Sequence, residues 1–190
     1  PGVGALEVSM VDAANAAVFV RAADIGLTGL ELPDQLESNP DIMARLDAIR
    51  VQASVKMGIA PDVESARKIT IVPFICFVSP PADNPTLSGE TVPANDIDLV
   101  ARVISNGQPH RALPLTVSLC TAVAARIDGT VASQALSPSA GAGALRLGMP
   151  SGVLTVAADV GQENGMWTAR AGSFYRTARL LFDGQVWIPA

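Results

Sequence analysis

The stretch Pro114-Leu115-Thr116-Val117-Ser118-Leu119-Cys120-Thr121-Ala122-Val123-Ala124-Ala125-Arg126-Ile127-Asp128-Gly129 decides how the fold is read. Between Leu115 and Ile127 only Arg126 carries a charge; every other residue is apolar, small or hydroxylic. A helix that is apolar on one stripe lies on a surface, whereas one that is apolar or small all round is enclosed. Pro114 suits a helix start and Asp128-Gly129 a stop. The pattern predicts a helix over 115–127 that is buried on every side, and such a helix needs a wall around it.

Strand-like segments supply the wall. Leu6, Val8 and Met10 alternate with polar or small residues, and Ala17-Val18-Phe19-Val20 is a compact β-prone run beyond the turn Asp12-Ala13-Ala14-Asn15. Ile71 to Val78 is dense enough for a buried strand. Ile97, Leu99, Ala101 and Val103 alternate with Asp98, Val100 and Arg102. Leu145, Leu147 and Met149 lead to the turn Pro150-Ser151-Gly152, and Val153, Thr155 and Ala157 lead away from it. Two further strands are expected around Trp167 and Tyr175, and a hairpin over 180–188 turns on Asp183-Gly184. Asn39-Pro40 opens a helix carrying Ile42, Leu46, Ile49 and Ala53, which ends at Met57-Gly58; Pro61-Asp62-Val63-Glu64 opens a shorter one. The fold class is α+β: a curved, mostly antiparallel sheet wrapped around one central apolar helix. Strands continue on both sides of the Pro- and Asn-rich loop 79–95, so residues 1–190 read as a single domain.

Composition excludes several functions. With 49% of its 190 residues apolar and 16% charged, the chain is neither a disordered tail nor a coiled coil. A net charge of −5 and 4% aromatic residues give no footprint for nucleic acid. No apolar run approaches the roughly 18 residues of a membrane span. Cys76 and Cys120 both lie in apolar runs, which fits a reducing, cytoplasmic setting better than a disulfide framework. With one His and two scattered Cys there is no support for a metal site, and no motif of a bound cofactor is present. The chain opens at Pro1 without an initiator Met, which reads as a fragment or a processed half.

Four places offer chemistry. The start of the central helix, with Thr116 and Ser118, presents free backbone N–H groups that attract carboxylates or phosphates; ordinary capping is the plain alternative. The turn Pro150-Ser151-Gly152 offers N–H groups and a hydroxyl, or is simply a turn. His110 and Arg111 precede the helix, where Arg111 suits a carboxylate and the sole His can assist; a solvated loop is the plain alternative. Asn15 lies in the early turn, where a structural role is the default.

These pieces resemble the C-terminal half of the 2-methylaconitate cis-trans isomerase (PrpF) family, of the diaminopimelate epimerase-like superfamily. The resemblance is carried by Val11-Asp12-Ala13-Ala14-Asn15, Ala23-Asp24-Ile25-Gly26-Leu27-Thr28-Gly29, Lys56-Met57-Gly58, Val78-Ser79-Pro80-Pro81, His110-Arg111-Ala112, Cys120-Thr121-Ala122-Val123-Ala124, Pro150-Ser151-Gly152 and Arg176-Thr177-Ala178-Arg179, in this order. It implies two similar domains, each a curved sheet around a central helix, with the helix N-termini facing a shared cleft. It implies cofactor-independent proton transfer on small unsaturated di- or tricarboxylates, with Asn15, His110, Arg111, Thr116, Ser118, Pro150, Ser151 and Gly152 on the substrate side. The acid/base pair, a lysine and a cysteine, is implied on the N-terminal half, so the catalytic residues are expected outside this chain and that half is the expected partner. Three positions depart from the family pattern. Met149 stands before Pro150-Ser151-Gly152 where His is usual, Thr116-Val117-Ser118 replaces Thr-Gly-Ala, and Ala14-Asn15-Ala16 replaces Gly-Asn-Pro or Gly-Ile-Pro. The alternative reading is a catalytically inactive module that binds a carboxylate or associates with itself.

Overall fold

The computed structural model describes residues 4–176 and 178–188. One sheet dominates it. Its order is β1 (Val8–Ala13), β2 (Asn15–Arg21), β3 (Phe74–Ser79), β6 (Leu99–Ser105), β8 (Leu145–Met149), β9 (Gly152–Glu163) and β10 (Met166–Phe174), with the short β7 (Gln108–Pro109) also on β6. A separate small ribbon pairs β4 (Asn84–Pro85) with β5 (Thr91–Val92). Two neighbouring pairs, β2/β3 and β6/β8, are parallel, and the other pairings are antiparallel.

Parallel neighbours require long crossovers, and helices fill both of them. Between β2 and β3 run α1 (Pro33–Glu37), α2 (Pro40–Lys56) and α3 (Val63–Lys68); between β6 and β8 run α4 (Leu115–Ala125) and α5 (Val131–Gln134). The two sets cover opposite faces. Ala17, Phe19, Cys76, Val78, Leu99, Ala101, Val103, Leu147 and Val156 form one core with Val117, Cys120 and Ala124 of α4. Val18, Val20, Ile75, Phe77 and Ile104 form another with Ile42, Leu46, Ile49 and Ala53 of α2. Successive residues of one strand thus serve different cores.

The sheet curls because its two edge strands, β1 and β10, both reach α4. On β10 the approach is close: a Cβ on Gly172 would stand 3.1 Å from Leu119 Cδ2. The central helix expected from sequence is present and enclosed, with eight of its residues buried. The Asn39 signal also holds: its side chain accepts from the Ile42 N–H at 3.2 Å, with Pro40 opening α2.

One expected strand is more enclosed than its pattern suggests, and two expectations change. The strand expected over 97–103 is β6, and although its residues alternate in type all of Leu99–Ser105 is buried, because helices or loops cover both sides. In place of two strands around Trp167 and Tyr175 there is one, β10, joined to a long β9 by Asn164-Gly165. Asn164 and Gly165 take φ of 53° and 78°, the positive pair that a two-residue hairpin turn demands. Residues 178–188 form no hairpin and lie exposed; a lone two-stranded ribbon is marginal without a surface to cover it. No helix among the described residues is long and apolar enough to cross a membrane.

Candidate functional site

The registers Ala17↔Phe74 and Ile75↔Ile104 set Asn15, at the start of β2, at the same end of the sheet as Ser105, at the end of β6. The N-terminus of α4 lies there too. Ala14, at φ 63°, makes the β1–β2 connection a one-residue turn, and Asn15 follows it directly into pairing with Ala13. From this position Asn15 Nδ2 donates to Thr116 Oγ1 at 3.1 Å. Because the Thr116 oxygen accepts that bond, its own proton remains to be donated elsewhere.

The first turn of α4 is open to an anion. Pro114 at the N-cap supplies no side-chain hydrogen bond, and no acidic residue lies in the first turn. The first intrahelical bond is Ser118 N–H to Pro114 O at 2.9 Å, so the N–H groups of Leu115, Thr116 and Val117 precede the ladder. These dipoles sum to a partial positive charge at the helix start. Ser118 contributes differently from Thr116: it is buried, and its hydroxyl donates to Leu115 O at 2.7 Å.

The turn Pro150-Ser151-Gly152 is fastened next to this helix. The Leu113 N–H, just before α4, donates to Met149 Sδ at 3.4 Å. Asn84 Nδ2 donates to Met149 O at 3.0 Å and the Leu87 N–H to Pro150 O at 2.8 Å. Gly152 takes φ 120°, a conformation closed to side-chain-bearing residues, while Ser151 is exposed. Beneath the turn, the wholly buried Arg102 donates to Asn84 Oδ1 and to Glu31 O, each at 2.8 Å. Burial pulls its guanidinium down to about 10, still cationic at neutral pH. Glu31 in turn closes the loop before α1 by accepting from the N–H groups of Thr28 and Gly29 at 2.7 and 3.0 Å. Burial raises its carboxyl, but these bonds and the Thr28 hydroxyl outweigh that and hold it below the usual range.

His110 and Arg111 make their own contacts. His110 Nε2 and Ser105 Oγ are 2.7 Å apart, and the imidazole packs on Phe74 with ring centres 6.1 Å apart. Burial lowers its pKa, so the ring is neutral at pH 7. Arg111 is exposed and donates to Asp34 of α1 at 3.2 Å, an ion pair open to solvent. Both thiols are free and buried. Cys120 lies against Val11 O at 3.5 Å and burial pushes its thiol up to about 12; burial raises Cys76 well above the usual thiol range. Among the described residues no cluster of three or more His, Cys, Asp or Glu side chains is placed to hold a metal ion.

Sequence reading missed Asn84, Arg102 and the Leu113–Met149 link. One signal was available: Arg102 is the only charged residue among the otherwise apolar positions 99–104. Nothing in the sequence distinguishes Asn84 from its Pro-rich loop.

A curled sheet around an uncapped apolar helix, open to anions at one end, is the architecture of a known class of proteins. A solved methylitaconate-delta-isomerase superposes with a TM-score of 0.79 at 33% identity, over 90% of this chain and 46% of that one. The chain belongs to the PrpF protein family, whose pattern matches residues 1–189. It is 38% identical to a 2-methyl-aconitate isomerase of Shewanella oneidensis, over 100% of this chain and 47% of that protein. It is 36% identical to a 3-methylitaconate isomerase of Eubacterium barkeri (97% and 48%) and 31% identical to a 4-oxalomesaconate tautomerase of Pseudomonas putida (96% and 45%). The chain spans about half the length of these curated relatives.

Proposed function

We propose that this chain is one half of a cofactor-independent isomerase or tautomerase that moves a proton along a small unsaturated di- or tricarboxylate. The observation that carries the reading is the start of α4: no side chain caps it and no acid lies in its first turn, while Asn15 directs Thr116. A substrate carboxylate would take the N–H groups of Leu115, Thr116 and Val117 and the Thr116 hydroxyl. Proton removal beside a carboxylate-bearing double bond puts charge on that carboxylate, and fixed dipoles aimed at it lower the barrier. The exposed Ser151 adds its N–H and hydroxyl beside the helix start, and Arg111 can exchange Asp34 for a substrate carboxylate at little cost.

The base and acid come from the half that this chain does not span, the expected partner in the cytoplasm. Both thiols here are buried and held protonated, and the imidazole is occupied by Ser105. The names of the relatives, a 2-methyl-aconitate isomerase, a 3-methylitaconate isomerase and a 4-oxalomesaconate tautomerase, support the substrate class.

Solvent deuterium incorporation tests the reading. The chain is incubated in heavy water with 2-methylaconitate, aconitate or 4-oxalomesaconate, with and without the complementary half of the Shewanella oneidensis relative. Exchange is expected only with both halves. Exchange by this chain alone would refute the partner requirement, and no exchange with either arrangement would refute the reaction.

A further inference from the structure

The proposed reaction leaves the outer face of β1 without a role. Successive residues of a strand point to opposite faces. Val11 and Ala13 pack on the core around α4, and Leu6 and Val8 on the core around α2. The cover from α2 is incomplete: Leu6 and Val8 stay half-buried and Met10 is 40% exposed. What remains between β1 and the helices is a groove of about 560 Å³, a size usual for small-molecule sites.

The two walls of the groove differ in kind. On the strand side Leu6, Val8 and Met10 present only hydrocarbon and a thioether. On the helical side stand Gln52 and Lys56 of α2 and Arg67 of α3. Gln52 and Lys56 lie one turn apart in a row with Ala48, whose short side chain keeps the groove open. Both cations are exposed. Among the described residues neither has an ion-pair partner, whereas the nearby Lys68 is paired with Glu64 and Arg50 with Asp47. No carboxylate among the described residues lines the groove. On a chain of net charge −5, two such cations beside an apolar wall reverse the sign of the local field.

We propose that this groove binds a medium-chain alkanoate, a second anion site separate from the start of α4. The hydrocarbon lies along Leu6, Val8 and Met10, whose flexible thioether adapts to the shape of a chain. The carboxylate meets Lys56 and Arg67. A short polycarboxylate has nothing to set against the strand wall, and a neutral or cationic amphiphile has no use for the two cations. The start of α4 selects differently, since its donors are N–H dipoles and a hydroxyl. The inference stands on the groove alone and is independent of the isomerase reading.

Amide NMR of the chain titrated with octanoate tests it. Saturable shifts are expected at residues 6–10 and 48–56. Butanoate binds at least ~10-fold more weakly, because each methylene lost from apolar contact lowers affinity several-fold. The double variant Lys56→Gln with Arg67→Gln lowers octanoate affinity about 5-fold or more, as two partly solvated ion pairs would, and leaves binding of 1-octanol unchanged. Ala48→Trp fills the groove and weakens both ligands. An unchanged melting point shows that each variant is folded. Saturating tricarballylate leaves octanoate affinity unchanged. Absence of saturable shifts at those residues overturns the proposal. So does octyltrimethylammonium binding as tightly as octanoate, or displacement of octanoate by tricarballylate, which would put it at α4. Groove shifts that follow protein concentration without octanoate assign the face to a second copy. Binding to vesicles of anionic lipid without binding of monomeric octanoate assigns it to a membrane surface. Either of these results also overturns the alkanoate site.

Discussion

Replacing Asn84 by alanine is expected to cost about 2–4 kcal/mol of folding stability and to loosen the Pro150-Ser151-Gly152 turn. Asn84 is fully buried, and its amide makes one bond at each end. Oδ1 accepts from the Arg102 guanidinium at 2.8 Å, a bond to a charged group worth about 1.5–3 kcal/mol net. Nδ2 donates to Met149 O at 3.0 Å, worth about 0.5–1.5 kcal/mol. Water has no ready path to replace the lost acceptor, because Arg102 is itself wholly buried. The fall of its pKa to about 10 is equivalent to about 3 kcal/mol of burial cost already borne. Urea unfolding gives the total. A double-mutant cycle with Arg102→Met isolates the first bond, with a coupling of about 1.5–3 kcal/mol expected. Hydrogen exchange at residues 151–153 reports on the turn. An alanine variant within about 0.5 kcal/mol of the parent, or a coupling below that size, would refute the claim that this buried network holds the turn.

Other consequences are open to simple assays. Thr116→Val removes the acceptor of Asn15 and a donor aimed at the ligand, so NMR-detected binding of a tricarboxylate such as tricarballylate weakens several-fold; Ser118→Ala, whose hydroxyl is spent on Leu115 O, leaves it nearly unchanged, and equal losses would contradict the assignment. Folding stability falls in two separate ranges of pH. Burial holds the pKa of His110 below its ordinary value near 6.5, so the unfolded chain binds the proton more readily and stability drops as pH falls through that value; Asp98 is held low by its hydrogen bonds with Arg146, so its contribution is present above about pH 4 and is lost below it. His110→Gln flattens the first range and Asp98→Asn the second, as urea midpoints across pH would record. Iodoacetamide at pH 7 leaves both thiols of the folded chain unlabelled while labelling them in urea; rapid labelling of Cys120 in the folded chain would reopen it as a nucleophile.

What could be read from sequence follows from the distance over which each signal acts. Helix 115–125 was legible because enclosure leaves its mark on every residue of the segment, and α2 because Asn39-Pro40 announces its start within two positions. The two-sided burial of β6 was not, since alternation with Val100 and Arg102 looks the same whether the second face meets water or segments 46 and 71 positions away. The Asn164-Gly165 turn was legible and passed over, while Asp183-Gly184 carried an equal signal without a covering surface. At the site, the open helix start and Asn15 were visible as types, but their contact spans 101 positions and no local pattern encodes it. The Asn84–Arg102 network spans fewer positions but is equally hidden, because it couples segments that share no motif.

The polar groups around the start of α4 are mostly donors. Leu115, Thr116 and Val117 N–H, the Thr116 hydroxyl, Arg111 and the Ser151 hydroxyl can all donate. The one imidazole nearby is held low in basicity by burial, and its Nε2 already meets Ser105. Proton transfer needs a group whose pKa lies near the working pH and which reaches the carbon to be deprotonated; a wall of donors has neither property. It can lower the energy of an anion once formed, and it can orient a carboxylate beforehand. A base placed on the same wall would compete for those donors as an anion itself, lowering its own basicity and blocking the substrate. Separating donors and base onto facing walls removes that conflict, and it makes the spacing between the walls a determinant of rate, since a misplacement of about 1 Å costs about 100-fold. On the proposed reading, a wall of donors acts only when a base is held rigidly opposite it.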